Sequence, residues 1–237
     1  MRNYYYYDKL DSTMLEYQRL KEINDLPLVV RVGTQDDGIG RANHIWLSPP
    51  GGLWFTFDYE YTKALPSFSL YLGFCIHKCL VSLFEPLNGK LKIKWTNDII
   101  YGGRKLGGIL CHYLAGKRTY VIGIGLNTNN EIDSELGKLG ATNLKDVLGF
   151  EISNSELCRQ IIFSVEDNCK YMEDEMVYLT YCNENLFGRD RRALVESGGI
   201  NIEAEITGIA PSGALLIRND WGDLISVHTG SIIDFLD

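Results

Sequence analysis

Short apolar runs bounded by glycine, proline and polar turn formers dominate the chain, and a helical period of apolar residues shows in three places. Residues 4–7 are four tyrosines and read as a short strand. Asp11-Ser12-Thr13-Met14-Leu15-Glu16 follows. Thr13 and Glu16 stand at capping-box spacing, so a helix is predicted from there to about Ile23. Its first turn carries free backbone N–H groups, which suit an anion or a polar ligand. Residues 28–32 and 53–59 read as strands, and the glycine-bearing polar stretch 34–48 between them reads as a loop. Loops that long inside compact domains are commonly functional. Residues 67–83 carry the second helix. The apolar stretch 68–84 is interrupted by His77 and Lys78 and bounded by Pro66 and Pro86. It is too short and too polar to span a membrane, and a buried helix fits it.

Four short strands are predicted at 91–95, 99–101, 106–113 and 119–126, with Gly102-Gly103 as a hairpin turn. Ser153 and Glu156 cap a third helix whose apolar stripe is Leu157, Ile161, Val165 and Met172. After about Leu186 the texture changes to short strands at 193–196, 202–209, 214–218 and 224–228, separated by Gly, Asn and Asp. The reading is an α+β protein: a mixed sheet with flanking helices over residues 1–186, then a small β module over 187–237. The 119–126 strand is taken as an edge that offers pairing between two copies, so a homodimer is one option.

Hydrophobic residues make up 45% of the 237 residues and charged residues 23%, enough apolar material for a packed core. Net charge is −8 and no Lys/Arg block occurs, which argues against nucleic acid as a partner. The six cysteines, with no secretory layout before them, read as free thiols in a reducing, cytoplasmic setting. Cys75 and Cys79 lie one helical turn apart in an apolar stretch, so core packing explains them better than zinc.

Three segments carry candidate chemistry. The first is residues 35–49, QDDGIGRANHIWLSP. Its glycines Gly38 and Gly40 allow close backbone approach, Arg41 can grip a phosphate or carboxylate with two parallel hydrogen bonds, and Trp46 offers a broad ring. Alone, such a loop also fits a plain surface loop with a buried tryptophan. The second is Lys94-Trp95-Thr96-Asn97-Asp98 followed by Lys105-Leu106-Gly107-Gly108-Ile109-Leu110. A lysine beside a glycine pair can bring a point charge to an anion, and Asp98 can help hold Mg²⁺. Taken singly, Lys105 reads as a solvated hairpin residue. The third is Gly123-Ile124-Gly125-Leu126-Asn127-Thr128-Asn129, a strand end that can present an amide to a ligand edge.

Together and in this order, these segments resemble biotin protein ligases (holocarboxylase synthetases). Asp11-Ser12-Thr13, the Gly51-Gly52-Leu53 continuation, and the late Gly208-Ile209, Gly213-Ala214-Leu215-Leu216 and Gly230 fit the same pattern, so the resemblance spans nearly the whole chain. It implies a class II synthetase-like catalytic domain and a C-terminal SH3-like β barrel. It implies ATP and biotin as substrates, Mg²⁺, and a biotin carboxyl carrier protein or domain of a biotin-dependent carboxylase as partner. A form without an N-terminal winged helix is expected. Ser12 and Thr13 match the pair that holds the ureido ring of biotin. Gln35, Gly38, Arg41, Lys105, Gly107 and Gly108 match the biotin pocket. Gly40, Arg41, Ala42, Asn43, Trp46, Asn97, Asp98, Lys105 and Asn127 match the ATP and adenylate side. Arg41 and Lys105 match the catalytic cations, and Asp98 the metal ligand.

The chain departs from the family pattern at several points. Ile39 stands where the first arginine of a Gly-Arg-Gly-Arg loop is usual, and Asn43 and His44 replace a glycine and a small or basic residue. Met14 and Thr96 replace the frequent asparagine and proline. Ile39 removes a cation that would help hold phosphate, which bears on retention of the adenylate. The nearest rival reading is a lipoate or octanoate protein ligase, which needs a long apolar slot. Ser12, Thr13 and Gln35 favour a ring with hydrogen-bonding edges. A DNA-binding sensor and a non-catalytic biotin binder are the other two; the first lacks a basic face, and the second has no use for Arg41 and Lys105.

Overall fold

The computed structural model of the chain describes residues 2–25 and 27–236. Strands β1 (Asn3–Leu10), β2 (Leu28–Gln35), β3 (Leu53–Glu60), β4 (Leu91–Lys94), β5 (Asp98–Tyr101), β6 (Arg104–Leu114) and β7 (Thr119–Leu126) form a seven-stranded sheet in the order β1-β2-β3-β7-β6-β5-β4. β1 and β2 run parallel, joined through helix α1 (Thr13–Lys21), whereas β2–β3, β3–β7, β6–β7 and β4–β5 are antiparallel. The sheet is therefore mixed. Helices α2 (Phe68–Leu83), α3 (Ser134–Lys138), α4 (Leu144–Leu148), α5 (Asn154–Asp167) and α6 (Glu175–Glu184) complete this part of the chain. Strands β8 (Arg192–Ser197), β9 (Ile200–Ile209), β10 (Leu215–Arg218), β11 (Leu224–Val227) and β12 (Ser231–Phe235) form a separate antiparallel sheet in the order β11-β10-β9-β8-β12. Its register shifts at Leu216/Ile217 and at Ile232/Asp234, irregularities that bend and twist strands.

The chain gathers into two compact units, one of Met1–Ala64 with Arg104–Ile162 and one of Leu65–Gly103 with Phe163–Asp237. In the first, Met14 and Tyr17 of α1 pack with Leu28, Val30 and Val121, and Tyr5, Tyr7, Leu10, Leu20 and Leu110 close around them. Six consecutive residues of β3, 53–58, are buried, as expected of a strand covered on both faces. The last of them is Asp58, a carboxylate only 3% exposed. It is satisfied from four directions: Arg2 Nη1 at 3.0 Å, Lys21 Nζ at 3.2 Å, Tyr17 Oη at 3.2 Å and the Leu28 amide at 2.9 Å. A charge is tolerated at that depth only when paired and hydrogen-bonded, and here it ties β1, α1 and β2 to β3. Burial, with the Asp58 charge adding to it, raises the Tyr17 phenol above its ordinary value.

In the second unit α2 buries eleven of its sixteen residues, so apolar side chains point every way and the helix is enclosed. His77 lies inside it. The Leu91 carbonyl can only accept, so Nε2, 3.0 Å away, carries the proton; Nδ1 then accepts from the Tyr181 hydroxyl at 2.9 Å. Burial lowers the His77 pKa below its usual 6.5. Burial also pushes the Cys79 thiol up to about 11, and Cys75 higher still, as suits packing residues. The Ser67 hydroxyl meets Glu175 and Tyr178 of α6, and Trp95 Nε1 donates to the Gly213 carbonyl at 3.0 Å.

Several expectations change. The N-cap of α1 is Ser12, whose Oγ accepts from the Met14 amide; Glu16 turns to Tyr7 and Arg19 instead of closing a capping box. Thr13 is inside the helix, where its hydroxyl is taken by side chains described below. β2 continues to Gln35, so the loop starts later than the polar stretch implies. β5 starts at Asp98, one residue before the predicted strand. Met172 lies beyond the end of α5, in a separate 3₁₀ turn. β7 is not an edge. It pairs with β3 on one side and β6 on the other and is buried nearly throughout, because its apolar run TYVIGIGL suits a central strand. It offers no backbone to a second copy. The short helices α3, α4 and α6 lack a strong apolar period and were not anticipated, and the fifth strand of the β module falls at Ser231–Phe235, beyond the four located from the sequence. No helix among the described residues is long and apolar enough to cross a membrane.

Candidate functional site

The site residues proposed from the sequence fall mostly in the first unit, at the ends of β2, β3, β6 and β7 and the start of α1. Four side chains there form a continuous chain of hydrogen bonds that ends on a backbone carbonyl. Gln35 Oε1 accepts from the Thr13 amide at 2.8 Å and from the Thr13 hydroxyl at 3.1 Å. Gln35 Nε2 donates to Ser48 Oγ at 2.7 Å, which in turn donates to the Trp46 carbonyl at 3.2 Å. Thr56, from β3, donates to Thr13 Oγ1 at 2.8 Å. Ser12 is fully buried, and its Oγ spends one lone pair on the Met14 amide, leaving its O–H as a donor. Polar groups so deeply buried are ordinarily satisfied, and nearly all of these are. Asp11, just before the cap, is held below the usual carboxylate range by its hydrogen bonds from the Arg19 guanidinium.

The segment after Gln35 is a small hairpin. The Trp46 amide donates to the Gly38 carbonyl at 2.8 Å, the Gly40 amide to His44 at 2.7 Å, and Ile39 bridges to Ile45. Gly38 is required by this closure, since a Cβ there would stand 2.2 Å from the Trp46 carbonyl oxygen. Arg41 is partly buried and Ala42 takes a left-handed conformation at the hairpin tip. The side chain of Asn43 lies outside the described atoms. Ile39 and Ile45 are both exposed, so the loop shows an apolar outer face.

Trp46 turns inward from this hairpin. Its ring stands edge-on to Trp54 at 6.3 Å and lies against Gly125 of β7, where a Cβ would come within 2.5 Å of the indole nitrogen. Lys105 Nζ sits 5.0 Å from the Trp46 ring centroid, a cation–π distance. The Trp46 N–H is buried and meets no acceptor among the described residues. Gly107 and Gly108 pair with Leu126 and Gly125, and a Cβ on Gly107 would reach 2.7 Å from the Gly125 carbonyl oxygen. The backbone of Lys105 is pinned on its other side by Gly140 and Thr142. Asn127, 3% exposed, hydrogen-bonds through its amide to the Leu106 carbonyl at 2.8 Å, which places it next to Lys105 along β6.

The structure thus brings Thr13, Gln35, Gly38, Trp46, Lys105, Gly107 and Asn127 into one neighbourhood. Asn97 and Asp98 belong to the other unit. Ser48 and Thr56 were missed from the sequence. Ser48 is inside the 35–49 motif, two residues beyond Trp46, and Thr56 is the single hydroxyl within the buried part of β3. A lone hydroxyl in an apolar strand is the signal that was available for Thr56. Among the described residues, no three His, Cys, Asp or Glu side chains converge to hold a metal ion.

A buried hydrogen-bond network and close glycine approaches at strand ends, with a lysine against an indole, suit an enzyme that handles an acid and a nucleotide. The chain belongs to the biotin/lipoate A/B protein ligase family, whose model matches residues 5–129. It is 28% identical over 234 residues to the bifunctional ligase/repressor BirA of Bacillus subtilis (strain 168), covering 92% of this chain and 70% of that protein. It is 27% identical over 220 residues to the chloroplastic biotin–protein ligase 1 of Arabidopsis thaliana, covering 85% of this chain and 58% of that protein. Among solved structures, it is similar to the biotin protein ligase from Aquifex aeolicus in complex with biotin and ATP, with a TM-score of 0.83, 25% identity and 97% of each chain covered.

Proposed function

We propose that this protein is an ATP-dependent biotin protein ligase, which joins biotin to ATP to form biotinyl-5′-AMP and then transfers biotin to a lysine. The observation that carries the reading is Lys105 Nζ held over the Trp46 ring beside the Gly107–Gly125 approach, a step away from the Thr13–Gln35–Ser48 network. In this reading the ureido ring of biotin lies against Ser12, Thr13 and Gln35, whose hydroxyls and amide match its N–H and C=O edges. Gly38, Gly107 and Gly108 give it room. Gly40, Arg41, Ala42, Asn43, Trp46 and Asn127 face the nucleotide.

The first step sets a biotin carboxylate against the α-phosphate of ATP. Like charges at contact repel by about 4 kcal/mol near a protein surface. Lys105 and Arg41 offset this and stabilise charge growing on phosphorus as pyrophosphate leaves. In the second step a neutral lysine of the acceptor attacks the mixed anhydride and AMP departs. Positioning and electrostatics suffice, so no nucleophilic side chain is required. The 38–46 hairpin shields the anhydride from water. Mg²⁺ commonly binds through one or two carboxylates plus substrate phosphates. In this reading it enters with ATP, as part of the substrate.

The acceptor is a biotin carboxyl carrier protein or domain of a carboxylase. Residues 1–186 carry the chemistry and 187–237 form the closing β module. The six cysteines are all free and four are buried, which suits a reducing compartment such as the cytoplasm. The test is ATP-dependent incorporation of labelled biotin into a carrier domain, run beside lipoate. Incorporation of biotin with pyrophosphate release supports the reading. Exclusive use of lipoate replaces it with the rival lipoate ligase.

A further inference from the structure

Beyond Asn127 lies a buried amide, Asn130, that the reaction does not itself require. Asn130 is 1% exposed. Its Nδ2 donates to Asn127 Oδ1 at 3.1 Å and, more weakly, to the Glu131 carbonyl at 3.4 Å. Its backbone carbonyl accepts from Asn143 Nδ2 at 3.0 Å, and Asn143 is itself fixed as the N-cap of α4 through the Asp146 amide. A backbone carbonyl can only accept. Turning the Asn130 amide over would set its oxygen against the Glu131 oxygen, so its orientation is determined.

That orientation propagates. Asn127 must face Asn130 with its oxygen, and its own NH₂ is directed elsewhere. The Asn127 backbone cannot swing to relieve this, because its amide is bonded to Leu106 and its carbonyl to the Leu144 amide at 3.0 Å. The arrangement has a cost: Asn130 Oδ1 is buried and meets no donor among the described residues. An unsatisfied buried acceptor is costly. A residue chosen only to pack would not carry that.

We infer that Asn130 is a positioning residue which locks Asn127 with its NH₂ toward the nucleotide base, so that the site selects a base with an acceptor ring nitrogen at that edge. The contact assigned is to N1: adenine presents an acceptor there, hypoxanthine carries a hydrogen on it, and the two bases share N3 and N7. The inference rests on the ligase reading and on Asn127 facing the base.

The experiment measures biotin-dependent pyrophosphate release with ATP and with ITP. Asn130→Asp puts an acceptor where the donor was and turns the Asn127 amide over. The kcat/KM ratio of ATP to ITP then falls by about tenfold or more, the discrimination expected of a directed base contact. The loss lies in the nucleotide KM, and the KM for biotin stays where it was. Asn130→Ala, which adds no charge and so guards against misfolding of the first variant, lowers the same ratio. Combining it with Asn127→Ala lowers the ratio no further than Asn127→Ala alone, because Asn130 acts through Asn127. An unchanged ATP to ITP ratio in either folded variant, including an equal loss with both nucleotides, overturns the inference and leaves the ligase reading standing. A wild-type protein that releases no pyrophosphate from ATP with biotin overturns both.

Discussion

At the residue scale, single side chains decide the chemistry. Lys105 is the cation that the geometry sets beside both the indole and the glycine pair. Lys105→Ala is expected to lower adenylate formation by about 10²–10³-fold, the usual loss for a group that stabilises developing charge, with the far-UV spectrum unchanged. Near-normal pyrophosphate release from a folded variant would remove Lys105 from the mechanism. His77 makes a different prediction. Its folded pKa lies below 6.5, so between 6.5 and that lower value the unfolded chain binds a proton that the folded chain refuses. Stability contributed by the neutral ring is intact above 6.5 and declines as pH falls through that window. Urea midpoints between pH 7.5 and 5 should show the decline, and His77→Gln should flatten it. Lys105, Arg41, Gln35 and Trp46 stand out as candidates in the sequence because they sit in short motifs. Ser48 and Thr56 were not singled out, because each meets a partner distant along the chain, Gln35 and Thr13.

Elements explain how those residues are held. Helix α1 is capped by Ser12, and its start is fixed from outside by Gln35 of β2 and Thr56 of β3. The Asp58 cluster anchors the same helix at its far end through Tyr17 and Lys21. Asp58→Ala leaves Arg2 and Lys21 facing an empty site and is expected to cost about 3–5 kcal/mol, read from urea denaturation. A change under 1 kcal/mol would mean that the cluster is incidental. Capping spacing located α1 correctly but chose the wrong cap, since Thr13 has better partners in three dimensions than the helix end offers. The long helices and apolar strands were legible from their period. The five-residue helices α3 and α4 are too short to display one, and they owe their ends to Asp133 and Asn143.

For the whole molecule, a mixed sheet followed by a small β module was legible from the succession of elements. Strand order was not. Nothing in a local pattern says that β7 inserts between β3 and β6, and its uninterrupted apolar character was the one hint that it is central. If biotin and ATP occupy the native fold alone, they must stabilise it. Each ligand at 100 times its dissociation constant adds about 2.7 kcal/mol. That corresponds to a rise in melting temperature of about 5 °C or more for a chain of this size. Scanning calorimetry with biotin, ATP and lipoate would show which acid produces the rise, and a rise with lipoate alone would redirect the assignment.

The pairing of β3 with β7 joins Leu53 to Leu126, and the chain between them must first find its own place. Such distant pairings close late and slowly. Trp46 rests on Gly125, so the indole reaches its seat only once that closure is made. In stopped-flow refolding, vitamin capture should therefore trail the return of helical signal, and a nascent chain still awaiting β7 would hold neither substrate.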